Sequence, residues 1–336
     1  MSNIQRAIFS WYDQNKRELP WRNSKNPYHI WLSEIVLQQT RVAQGLPYYS
    51  RLVDRFPSVF DLAGATEEDV LVAWKGLGYY SRARNLHKTA KIIAFDMKGN
   101  FPSSYKDWLL LPGIGKYTAA AIASICLNEK VPAIDGNLIR IISRLYDVNE
   151  LTDSAVGKTI IQNFAEDLVL SNRPGDINQA LMDLGSMVCF PKKPDCGHCP
   201  LAEFCMSRAM GTQEIRPQKQ IKKKAKNRYL VFIFEEKKGK IKLIKQPKGG
   251  IWENLYILPI LEFETESSWR EFIQQSNPIL SSNEVHVLTH QRLNFNVIDS
   301  NSFQLVEGER WVSLDQIDAV PAPILLSRIL SKIKSR

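Results

Sequence analysis

Four of the five cysteines, Cys189, Cys196, Cys199 and Cys205, fall within 17 positions, spaced C-x6-C-x2-C-x5-C. Pro191, Pro194, Gly197 and Pro200 force tight turns between them. Four thiolates in so short a loop can hold zinc tetrahedrally or an iron–sulfur cluster. Such density suits a metal centre in a reducing compartment better than a disulfide framework. His198 lies inside the loop and, with four thiols present, reads as a solvent-facing bystander. Cys126, in a run of small and apolar residues from Thr118 to Leu127, reads as a buried small hydrophobe.

Three further places carry candidate chemistry. Leu111-Pro112-Gly113-Ile114-Gly115-Lys116-Tyr117 is a Pro-Gly-x-Gly turn feeding a small-residue helix. Backbone N–H groups at such a helix start can bind phosphate, although an ordinary turn explains the same run. Glu34 is a lone carboxylate on a helix that is otherwise apolar on nearly every face. Burial would raise its pKa and keep a proton ready for general-acid work; a salt bridge to Arg22 or another base is the alternative. Asp135 precedes Gly136 and a helix beginning near Leu138, which makes it a natural N-cap. A fixed carboxylate beneath a sugar that is gaining positive charge would also stabilise that charge, so the two roles are compatible.

These groups need a scaffold. Apolar spacing predicts helices over 30–40, 118–127, 136–146 and 155–170, separated by turns at Pro57, Gly76–Gly78, Pro102, Pro112–Gly115 and Pro174–Gly175. Residues 209–228 include a basic run without acids and read as a charged linker. Beyond it, 229–234, 241–244, 256–260 and 295–298 read as strands, and 268–275 and the tail from Ile324 as helices. The fold class expected is a mainly α region over 1–208 followed by a separate α+β domain over 229–336. The chain has 336 residues and a net charge of +9, with pI ≈ 9.2, which favours a polyanionic partner. No stretch approaches the ~20 apolar residues that span a bilayer. The start mixes acids with bases and lacks an apolar signal core, so a cytoplasmic, nucleoid-associated protein is expected.

The LPGIGKYTA turn, the cysteine quartet downstream and Ile134-Asp135-Gly136-Asn137 between them resemble the helix–hairpin–helix DNA glycosylase superfamily. Within it, Leu19-Pro20-Trp21-Arg22 and Trp31-Leu32-Ser33-Glu34-Ile35-Val36-Leu37-Gln38-Gln39-Thr40 resemble the MutY-type adenine DNA glycosylases. The likeness covers 1–208 nearly continuously and the C-terminal domain more loosely. It implies a two-lobed helical glycosylase core, a [4Fe–4S] cluster at the four cysteines, and double-stranded DNA carrying adenine opposite 8-oxoguanine or guanine, bound by a monomer. It further implies that Glu34 protonates the adenine ring nitrogen, that Asp135 stabilises or captures the sugar cation, and that Asn137 orients water or substrate. Arg22, Gly113 and Gly115 would contact substrate or DNA, and Gln39 and Tyr79 would fill the space left by the flipped base.

In the related endonuclease III enzymes a lysine stands at the position of Tyr117 and forms a Schiff base. Tyrosine cannot form an imine, and Lys116 points about 100° away on a helix. A monofunctional glycosylase is therefore expected, with Tyr117 lining the pocket. The C-terminal domain resembles the MutT-like (Nudix) fold, used in this family to read 8-oxoguanine. Arg270-Glu271 is followed by uncharged Gln274 and Gln275 instead of paired glutamates, so hydrolase activity is not expected. Leu288-Thr289-His290 stands where the family has Phe-Ser-His, keeping a hydroxyl and an imidazole and losing the aromatic ring. The rival readings are a bifunctional lyase, a non-catalytic mismatch-binding protein and a zinc site.

Overall fold

The computed structural model describes residues 1–220, 225–280, 282–299 and 309–334. The helices in chain order are α1 (Asn3–Asn15), α2 (Pro27–Leu37), α3 (Val42–Arg55), α4 (Val59–Gly64), α5 (Glu67–Ala73), α6 (Ser81–Lys91), α7 (Tyr105–Trp108), α8 (Lys116–Cys126), α9 (Gly136–Leu145), α10 (Ala155–Val169), α11 (Pro174–Met187), α12 (Met206–Met210), α13 (Glu266–Gln275) and α14 (Ile324–Lys334). The strands are β1 (Lys226–Phe234), β2 (Glu236–Lys237), β3 (Lys240–Lys245), β4 (Tyr256–Ile257), β5 (Ile260–Phe263), β6 (Glu284–Val287), β7 (Gln291–Asp299) and β8 (Glu309–Ser313). None of these helices is long and apolar enough to cross a membrane. Short polar side chains start many of them. Ser2 and Gln5 form a capping box on α1, and Asn26, Thr66, Ser104, Asp135, Ser154 and Thr265 each accept a backbone N–H of the following turn.

The chain forms two compact units that interleave in sequence. The first holds 1–49, 56–63 and 88–221; the second holds 50–55, 64–87 and 222–336. In the first unit α1, α9, α10 and α11 share a core that includes Ile8, Phe9, Leu138, Ile142, Leu181 and Leu184. The alanines of α8 let α2 and α11 approach closely. At Gly175, at the start of α11, a Cβ would sit 2.7 Å from the Ser124 carbonyl oxygen. Buried Asn178 on α11 fixes the segment before α9. Its Oδ1 accepts Ala133 N–H at 3.0 Å, while its Nδ2 donates to Ser124 Oγ at 2.9 Å and Val131 O at 3.0 Å. That placement delivers Asp135 to the first turn of α9.

The second unit contains a mixed sheet, β5-β1-β7-β6, whose central pair β1 and β7 is parallel. A second sheet runs β2-β3-β4, with β8 also pairing β3. Trp269 on α13 packs under β1 and donates its indole N–H to Leu230 O at 3.0 Å. The expected strand over 256–260 is split at Leu258-Pro259 into β4 and β5, which serve different sheets. Proline has no N–H to continue a ladder, which suits a break there. Segment 64–87 packs inside this unit: Tyr80 Oη donates to Ala322 O at 2.9 Å, Arg84 Nη1 to Glu253 O at 2.8 Å, and Lys75 pairs with Asp318 at 3.0 Å.

The segment read as a linker, 209–228, is structured along most of its described part. Arg216 is buried and pairs with Asp147, and Gln218 O accepts both Thr152 N–H and Thr152 Oγ–H. β1 begins at Lys226, before the expected domain start. Residues 221–224 lie outside the described residues.

Candidate active site and cysteine centre

Glu34 sits on α2 among buried neighbours and is itself buried. Burial pushes its carboxyl up to about 7. Interaction with the Tyr117 hydroxyl pulls the other way, the Asp135 charge adds to the rise, and the Arg22 charge opposes it. Tyr117, in the first turn of α8, is raised well above its ordinary value by burial and by the two carboxylates. Its hydroxyl also reaches Met182 Sδ on α11 at 3.5 Å. The structure therefore gathers Glu34, Tyr117 and Asp135 from α2, α8 and the start of α9.

Asp135 is differently placed. Burial raises it, but its Oδ1 accepts Leu138 N–H at 2.7 Å and its Oδ2 accepts Asn137 Nδ2–H at 2.7 Å. Those bonds and the Arg140 charge favour the anion. Among the described residues Glu34 has no such donor set beyond Tyr117. Two neighbouring carboxyls in unlike surroundings, one raised to about 7 and one raised by burial but fixed by donors that favour its charged form, are equipped for acid and charge-stabilising work.

Gly185 on α11 faces Asn137 so closely that a Cβ would stand 2.5 Å from the Asn137 Cβ. Asn137 Oδ1 accepts Arg140 Nη2–H at 2.8 Å. Arg22 is not free to reach outward. Its guanidinium pairs with buried Asp183, which Arg17 also grips at 2.6 Å. The alternative of Glu34 bridged to Arg22 gives way to this Arg22–Asp183–Arg17 node, from which Arg22 acts on Glu34 only through its charge. Asp183, inside the apolar run Leu181-Met-Asp-Leu184 of α11, carried the same kind of signal as Glu34 and was missed.

At the turn before α8, Gly113 has φ +75°, a left-handed conformation that favours glycine. Gly115 caps α8 without any side-chain hydrogen bond, which leaves its backbone N–H groups unblocked. Gln39 and Tyr79 both adopt left-handed backbone, φ +56° and +50°, unusual for residues with a Cβ. Tyr79 follows Gly76 (φ +96°) and Gly78 (φ +75°) and is 45% exposed. Its ring lies 5.7 Å from the Arg82 guanidinium, which also sits 5.1 Å from Trp74 and donates to Leu77 O and Gly78 O. Its hydroxyl bonds the Thr289 hydroxyl within the second unit. Tyr79, Thr289 and His290 line one pocket of about 410 Å³ there, with Ile251, Trp252 and Arg84.

The four cysteines wall one largely apolar cavity that also involves Ile141, Leu145 and Leu184. Among the described residues no group of three or more His, Cys, Asp or Glu gathers tightly enough for a single metal ion. Thiols spread around a cavity fit a multi-iron cluster better than a zinc ion, whose sulfurs all stand about 2.3 Å from one point. Two arginines missed in the sequence pin the loop to α9. Arg144 donates to Cys189 Sγ at 3.2 Å, Phe190 O at 2.7 Å and Pro191 O at 3.0 Å, and Arg140 Nε to Cys189 O at 2.8 Å. Their positions, i and i+4 among the leucines and isoleucines of α9, were the available signal. His198 points to solvent and pairs with Asp195 at 2.9 Å, and Cys126 is half-buried.

Comparison with known proteins matches residues 32–166 to the HhH-GPD superfamily of base excision DNA repair proteins, 189–205 to the iron–sulfur binding domain of endonuclease III, and 230–332 to the NUDIX domain. The chain is 34% identical over 346 residues to an adenine DNA glycosylase of Buchnera aphidicola subsp. Baizongia pistaciae, covering 98% of this chain and 96% of that protein. It is 42% identical over 207 residues to that of Mus musculus, covering 59% of this chain and 40% of the relative. Among solved structures, a thermostable thymine-DNA glycosylase superposes with TM-score 0.57 at 27% identity, over 62% of this chain and 95% of its own. The segment 189–205 is accordingly a [4Fe–4S] cluster-binding loop. The chain belongs to the adenine DNA glycosylases, base excision repair enzymes of the HhH-GPD superfamily with a C-terminal NUDIX domain.

Proposed function

We propose that this glycosylase excises adenine opposite 8-oxoguanine, or opposite guanine, in duplex DNA and acts as a monofunctional, monomeric enzyme associated with the nucleoid. The observation that carries the reading is Glu34, buried and raised to about 7, beside an Asp135 whose donors favour the anion. Glu34 gives its proton to a ring nitrogen of the flipped adenine, turning the base into a better leaving group. As the glycosidic bond breaks, Asp135 stabilises the positive sugar electrostatically, and water completes the hydrolysis. Asn137 holds the Asp135 oxygen and helps place that water. Tyr117 bears on both carboxyls and offers no amine for a Schiff base. The [4Fe–4S] cluster, held by the four cysteines, supplies structural cross-linking of the loop that Arg140 and Arg144 anchor.

Gly113 and Gly115 offer backbone donors to a phosphate, while Gln39 and Tyr79 enter the space vacated by the base. Residues 1–208 carry the chemistry and 229–336 the opposite-base recognition. The pocket bounded by Tyr79, Thr289 and His290 is the candidate place for the 8-oxoguanine, with the Thr289 hydroxyl as donor or acceptor. Base release from duplexes carrying one adenine opposite 8-oxoguanine, guanine or thymine tests this. The expected outcome is release opposite 8-oxoguanine and guanine, with strand scission only after alkali. Scission without alkali, trapped by borohydride as a covalent complex, would establish a lyase instead.

A further inference from the structure

A cleft of about 450 Å³ in the first unit lies apart from the Glu34 centre. None of Glu34, Asp135 or Asn137 lines it; only Tyr117 borders both. Its floor is apolar, built from Val131, Pro132, Ile134, Ile139 and Ile161. Around it stand three ammonium groups from three elements: Lys116 at the start of α8, Lys130 before the 131–135 segment, and Lys158 on α10. Glu166 is the acid of the lining, and its Oε1 accepts Gln162 Nε2–H at 2.6 Å. Among the described residues no ion pair or side-chain hydrogen bond engages any of the three lysines, although ion pairs are plentiful elsewhere on the chain. Like charges left uncompensated around a concave, low-dielectric wall repel one another and concentrate an anion-attracting field. An apolar floor under a cationic rim suits a sugar or base carrying a phosphate.

We infer that this cleft is a second nucleotide-binding site, which takes a nucleoside monophosphate unit with its phosphate on the lysines and its sugar or base against the isoleucines. The unit is a nucleotide of the bound DNA strand beyond the flipped adenine, or a free nucleotide; the chemistry recognised is the same. The first source rests on the DNA-glycosylase reading above.

The test uses the full chain with its cluster and the double variant Lys130→Gln/Lys158→Gln. Both side chains are exposed, so folding is not at stake, and Lys237→Gln/Lys238→Gln serves as a control for lost charge. Binding to an undamaged duplex is measured against salt concentration. Methyl NMR of Ile134, Ile139 and Ile161 is followed on titration with deoxyadenosine 5′-monophosphate. If a strand nucleotide occupies the cleft, the slope of log affinity against log salt falls by about 2 in the cleft variant and stays unchanged in the control. If a free nucleotide does, the isoleucine methyls shift in the wild type and not in the cleft variant. An unchanged slope together with unshifted methyls overturns the inference. Failure of the adenine-excision reading would appear separately, as a wild type that releases no base, and would leave both measurements intact.

Discussion

Replacing Glu34 by glutamine removes a titrating proton while keeping nearly the same shape, so it separates chemistry from packing. With the carboxyl raised to about 7 from an ordinary 4.5, its protonated form is favoured in the folded chain. Its contribution to stability is therefore complete below about pH 4.5 and is lost as the pH rises through about 7. Between pH 5.5 and 8 this one group costs the wild type about 2 kcal/mol of stability. For a folding unit of this size that is a Tm difference of about 4–8 °C. Glu34→Gln has no such titration, so the Tm gap between variant and wild type should shift in the variant's favour by that amount from pH 5.5 to pH 8. All other groups cancel in the comparison. In parallel, single-turnover adenine release by the wild type should fall about tenfold per pH unit above about 7, and the variant should lose on the order of 10²–10⁴ in rate. Base release within tenfold of wild type, or a Tm gap independent of pH, would refute the assignment of Glu34 as a buried proton donor.

Four other substitutions address the remaining parts. Asp135→Asn should lower base release by about 10²–10³ while leaving Tm nearly unchanged, because asparagine still caps α9; equal losses of both would mean that Asp135 is only a cap. Cys199→Ser should abolish stoichiometric iron and lower Tm, read by iron analysis and thermal melting; intact iron would sink the four-cysteine ligand set. Gly185→Ala should cost about 1–3 kcal/mol and reduce base release by displacing Asn137, seen as a lower Tm and a slower single turnover. Thr289→Val should shrink the preference for 8-oxoguanine over guanine by about fivefold, the worth of one hydrogen bond, with competition kinetics as the measurement.

Much of the site was legible because its residues violate local pattern. Glu34 is an acid in an apolar helix, and the structure finds it buried beside Tyr117 and Asp135. The cysteine spacing likewise marked the four residues that wall one cavity. Helix boundaries came within a few residues where caps or prolines punctuate the chain, as at Asp135 and Ser154. Less legible were partnerships over long separations. Asp183 grips Arg17 and Arg22 across more than 160 positions, and nothing local to any of the three names the others. Strands β6 and β8 were unseen because each is short and mostly half-exposed, with no clear alternation. The basic run after residue 209 resembled a linker by composition, yet a single ion pair, Arg216 with Asp147, ties part of it down.

The interleaving of the two units bears on how the chain matures during synthesis. Residues 64–87 belong with the C-terminal unit, and Lys75 meets Asp318 across 243 positions of sequence. A ribosome adding about 5–20 residues per second needs on the order of 10–50 s to make that intervening stretch. Tyr80 and Arg84 wait through that interval without their partners, and once synthesis has passed residue 221 most of the first unit can already close. The nascent protein thus passes through a stage in which the catalytic framework is assembled and the Tyr79 turn is still unclamped. Chaperone dependence, and sensitivity to synonymous changes that slow translation after residue 221, should concentrate in that interval.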